Sequence, residues 1–71
     1  MTNEFMAIAV AKARKRRDEA RSNLSEAEAE LEHQKDAGNS VGALEALRLQ
    51  VEMYTDLVMK YDVIIAAYEN E

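Results

Sequence analysis

The residues with the widest scope for chemistry are Glu30 and His33, in the run Glu30-Leu31-Glu32-His33. On a helix this Glu-x-x-His spacing sets a carboxylate and an imidazole one turn apart, and in four-helix di-iron proteins two such motifs project into the bundle interior. Two copies of the chain would supply both motifs, with Glu45 or Glu52 as further carboxylates. Ligand direction decides against this chemistry. Leu31 falls on the apolar stripe of its helix, which turns Glu30 and His33 onto its flanks, toward solvent. The expectation is a solvated acidic face, with no metal and no cofactor. Nucleophilic catalysis lacks its parts as well, because the chain has no Cys, a single His and no glycine-rich strand-to-helix turn to present a serine. No enzyme is expected.

Charge is the next feature that could carry a function. Lys12, Arg14, Lys15, Arg16, Arg17 and Arg21 place six of the nine basic residues within ten positions. Residues 1–25 hold six basic and three acidic side chains, whereas residues 26–71 hold three basic and eleven acidic ones, so the chain runs from +3 to −8 within an overall −5. Part of the cluster can be neutralised internally. Arg14 with Asp18 and Lys15 with Glu19 have helical ion-pair spacing, and Asp56 and Asp62 come alongside if the chain folds back on itself. The rest is available to steer an acidic partner, a role suited to arginine because it binds carboxylates bidentately. The same residues could face nucleic acid. The acidic remainder of the surface and the lack of an aromatic interleaved with the cluster make that the lesser alternative, a small dimeric nucleic-acid-binding regulator.

The elements that position these side chains follow from composition. Of 71 residues, 48% are apolar and 32% charged, with no Pro, Trp or Cys and two Gly, a balance that favours long helices and excludes disulfide-stapled, collagen-like and low-complexity chains. The strongest punctuation is Gly38-Asn39-Ser40. Gly38 suits the left-handed position past a helix end, and Asn39 or Ser40 can cap the helix that follows. The chain therefore reads as all-α, with helix 1 over about 3–37, a turn at 38–40 and helix 2 over about 40–69, in one domain spanning 1–71. Thr2 or Asn3 can cap the first helix. Ser22-Asn23-Leu24-Ser25 is a weak spot where at most a bend is expected, because the apolar spacing continues through it.

Both helices repeat in alternating steps of three and four. Met6, Val10, Ala13, Arg17, Ala20, Leu24, Ala27 and Leu31 form the stripe of helix 1, and Leu44, Leu47, Val51, Tyr54, Val58, Tyr61, Ile65 and Tyr68 that of helix 2. Folded at the turn so that paired numbers sum to 78, small residues on helix 1 meet larger ones on helix 2 in a tight antiparallel hairpin. Arg17 then occupies a core level and needs a partner, for which Tyr61 and the adjacent Asp62 are the candidates. The tyrosines read as core with hydroxyl tips at the edge, Tyr68 being the exception nearest the open end.

Two helices cannot enclose a core, and helix 2 carries a second apolar stripe in Leu49, Met53, Leu57, Ile64 and Ala67 while helix 1 adds Phe5 and Ile8. These seven residues are expected to form the interface of a homodimer, a four-helix arrangement of two hairpins. The longest early apolar run, Phe5 to Ala11, has its basic cluster after it and is too short for a membrane span, so no targeting or membrane segment is expected and the compartment is expected to be the cytoplasm.

In length and plan the chain resembles the small helical proteins that bacteriophages make to disable host proteins, in particular the phage quorum-sensing anti-activators. The resemblance rests on the Met1-Thr2-Asn3-Glu4-Phe5 opening, the Lys12-Ala13-Arg14-Lys15-Arg16-Arg17 block, the Gly38-Asn39-Ser40 turn and the tyrosine-bearing second helix. It implies a non-enzymatic dimer that binds a host transcription regulator or ATPase and blocks it by occlusion, in the host cytoplasm. Charge and side-chain type assign the contacts: Arg14, Lys15, Arg16, Arg17 and Arg21 for steering, with Phe5 and Tyr68 as apolar anchors.

Overall fold

A computed structural model describes residues 4–38 and 40–70 as two helices, α1 from Glu4 to Asp36 and α2 from Val41 to Glu69, packed against each other as a hairpin. The turn forms as its residue types require. Gly38 takes φ +73°, a conformation that costs an L side chain roughly 1–2 kcal/mol, and its N–H closes the helix end on the Lys35 carbonyl at 3.1 Å. Ser40 opens α2 from an extended backbone, its Oγ accepting from the Ala43 N–H at 3.4 Å. The alternative caps at Asn39, Thr2 and Asn3 lie outside the described residues. Ser40→Ala should lower stability by about 1 kcal/mol, read as a fall of several degrees in the thermal midpoint; an unchanged midpoint would mean the cap contributes nothing.

α1 runs unbroken through Ser22–Ser25. Its apolar spacing keeps one face against α2 at every turn, so the poor helix propensity of these four residues is overridden by packing. Every member of the α1 stripe from Met6 to Leu31 is buried or half-buried, and so is the α2 stripe from Leu44 to Ile65; Tyr68 is 36% exposed. The most enclosed positions are Ala13, Ala20 and Ala27 on α1 and Ile65 on α2, at 4–7% exposure. Alanines seven apart bring the backbones close, and the branched side chains of α2 fill the space they leave.

The result is a rod of 57 × 14 × 13 Å with a radius of gyration of 16.2 Å, well above the about 11 Å of a globular chain this long. No large side chain is fully buried among the described residues. Leu57 and Ile64, expected to lie wholly outside the hairpin seam, are half-buried, while Leu49, Met53 and Ala67 are exposed. The seam is wider than the narrow stripe on which the expectation rested, because residues one step off a heptad position still touch the facing helix.

Candidate interaction surface

The hairpin splits the basic cluster into two groups. Arg14, Arg17 and Arg21 turn toward α2, and the other three stay out. Arg17 donates to Asp62 at 3.4 Å and reaches its neighbour Asp18 at 3.5 Å, Arg21 approaches the same Asp62 carboxylate at 3.7 Å, and Arg14 pairs with Glu69. Arg17 has the most sheltered side chain of the three, 22% exposed, as its place on the stripe dictates. Its charge is met by Asp62 rather than Tyr61, the acid that follows the seam tyrosine and projects past its edge.

The helical pairs expected from spacing, Arg14 with Asp18 and Lys15 with Glu19, do not form, and Asp56 takes no basic partner among the described residues. Arg14 reaches across the seam to Glu69 instead, one rank of ion pairs running along a single side of the hairpin. All these pairs are partly exposed and therefore worth at most about 1 kcal/mol each, so they add little to the stability of the hairpin. Lys12, Lys15 and Arg16 have no ion pair among the described residues. Lys15 sits on the outer ridge of α1, in a shallow depression with Ala11, Arg14, Asp18, Glu19 and Ser22.

The Glu-x-x-His run projects outward, with Glu30 and His33 both exposed. The Glu30 carboxylate accepts from the Gln34 amide at 2.6 Å, and Glu32 pairs with Lys35 at 3.7 Å. No group of three or more potential metal ligands comes together among the described residues.

What the described surface does offer is apolar. Phe5, Ile8, Leu49, Met53, Met59 and Val63 are 49–77% exposed, and Val41 79%. Tyr54 and Tyr61 are half-buried in the seam and Tyr68 stands at the open end beyond it. A second depression, lined by Asn23, Glu26, Ala27, Glu30, Leu47, Gln50 and Tyr54, opens on the side of the seam away from the Arg–Asp rank. The long-range pair Arg14–Glu69 was not legible from spacing, although the seam flanks carried a signal: Asp62 and Glu69 are seven apart on the same edge of α2.

Fold and surface together define an all-helical two-helix hairpin with exposed apolar ridges, and no helix among the described residues is long and apolar enough to cross a membrane. Comparison with known proteins returns no match: no family model, no curated protein and no solved structure is similar to the chain.

Proposed function

We propose that the chain is a non-enzymatic protein-binding inhibitor or adaptor that works as a homodimer, two hairpins in a four-helix arrangement, and occludes a surface of another protein. The observation that carries this reading is the exposed apolar surface of a hairpin whose own core, among the described residues, consists of three alanines and one isoleucine. Such a core is too small to stabilise the rod alone, so association does structural work before it does functional work. The resemblance to phage anti-activators fits this reading and supplies a target class, a host transcription regulator of the quorum-sensing type or an ATPase.

Contact residues narrow with the ion pairs in place. Arg14, Arg17 and Arg21 are engaged by α2, which leaves Lys15 to steer an acidic partner and Tyr68 to anchor it at the open end. Neutralising half the cluster within the fold also favours a protein over nucleic acid as partner, since a polyanion would compete with Asp62 and Glu69 for the same arginines.

A pull-down from bacterial lysate with the full chain tests the reading. One specific protein retained at moderate salt supports it; nucleic acid, or nothing beyond the chain itself, overturns it. With the partner in hand, Lys15→Glu combined with Tyr68→Ala should weaken capture by about tenfold or more while leaving circular dichroism and sedimentation mass unchanged.

A further inference from the structure

A second line of residues runs along α1, clear of the seam: Lys12, Arg16, Glu19, Asn23, Glu26 and Glu30, in steps of four, three, four, three and four. That spacing keeps them on one face. All six are exposed, and Lys12, Arg16, Glu19 and Glu26 have no ion pair among the described residues. The line is basic toward the open end and acidic toward the turn.

α2 carries its counterpart, the apolar line of Met53, Leu57 and Ile64. Met53, Leu57 and Ile64 lie on the same side of the hairpin as the charged line. Asn23, Glu26 and Glu30 line one depression together with Gln50 of α2. On α2 itself, Leu57 and Ile64 each precede by five residues the Asp62 and Glu69 that face the arginines, which puts them on opposite flanks of the seam.

We propose that this side of the hairpin docks a second copy of the chain end over end, about a two-fold axis at the level of Arg21 and Leu57, with α1 against α1 and α2 against α2. The inference rests on the homodimer reading and specifies its geometry. Lys12 and Glu30 are equidistant from position 21, as are Arg16 and Glu26, and as are Glu19 and Asn23. Turning one hairpin about that level therefore sets each basic residue at an acid of the other copy, and does so twice by symmetry.

α2 shares the axis that the charged line defines. In the hairpin register position 21 lies across from Leu57, so about that level Leu57 meets its own copy and Ile64, seven residues on, comes opposite Gln50. The level is also near the middle of both helices, so the two rods overlap over nearly their full length. The other face-to-face two-fold runs along the rod and lays the charged line of each α1 on the apolar line of the other α2. Charges would then be desolvated without partners, a costly arrangement. Of the basic residues left out of the intrachain pairs, Lys12 and Arg16 thus face the twin, and Lys15 remains on the outside for another protein.

The chain has no cysteine, so introduced thiols report proximity without interference. Full-length Lys12→Cys, Glu30→Cys and Ala67→Cys chains, all changed at exposed positions, are mixed in pairs and treated with a short thiol-to-thiol cross-linker, with mass measured by sedimentation in parallel. The proposal expects twice the 8.0 kDa chain mass and a dominant mixed adduct between Lys12→Cys and Glu30→Cys. A dominant adduct between Lys12→Cys and Ala67→Cys, which lie at one level of the rod, would overturn the end-over-end geometry while leaving the dimer standing. A doubled mass with neither adduct would overturn the choice of face. A single-chain mass would overturn both the geometry and the homodimer on which it rests.

Discussion

Ile65→Ala should lower the thermal midpoint of the chain by on the order of 10 °C or more, followed by circular dichroism at fixed protein concentration. Ile65 is the most enclosed side chain described, 4% exposed, and sits where α2 closes on the alanines of α1. Truncating a buried Ile costs about 2–5 kcal/mol, partly for lost burial and partly for the cavity left behind. In a chain this short each 1 kcal/mol displaces the midpoint by roughly 4–8 °C. Most proteins have several such residues and distribute the loss; here the other three enclosed positions are alanines, so no neighbouring large side chain is positioned to compensate. A shift below a few degrees would show that the seam is not where stability resides. The comparison must hold concentration constant, because any self-association adds a mass-action contribution.

The second large effect runs the opposite way in volume. Ala20→Leu should destabilise by roughly 1–3 kcal/mol even though it adds apolar surface and keeps helix propensity high. Ala20 is 5% exposed at the centre of the alanine ladder, and the register puts Val58 across from it. A larger side chain at that point has no room without moving the helices apart, and separation there loosens the contacts at Ala13 and Ala27 as well. Pairing it with Val58→Ala should recover part of the loss, a positive coupling of about 0.5 kcal/mol or more in a double-mutant cycle. If Ala20→Leu were neutral or stabilising, the close approach of the two helices would be in error.

Much of this arrangement is legible in the sequence because it is written in local signals. Gly38 marked the end of α1 by the backbone it alone tolerates, and Ser40 marked the start of α2 by its hydroxyl. The heptad spacing named the seam, since burial of one face leaves no other periodicity open to a helix. Arg17 was visible as an anomaly on that stripe, and Asp62 was one of two partners in view. The choice between Asp62 and Tyr61, and the reach of Arg14 to Glu69 past the nearer Asp18, depend on how far each helix is rotated about its own axis. Spacing along one chain does not encode that rotation. The half-burial of Leu57 and Ile64 has the same origin: an α-helix turns every 3.6 residues, so a strict seven-residue stripe drifts and its flank is drawn into the groove.

The link between the helices is short, from Ala37 to Ser40, and this has a kinetic consequence. Pairing close to the bend requires little loop closure, so the hairpin is expected to zip from Leu31 and Leu47 outward, with the open end meeting last. Ile65 belongs to that late stretch. On that order the most enclosed side chain would be installed near the end of folding and would act as a latch, so Ile65→Ala is expected to speed unfolding far more than it slows folding.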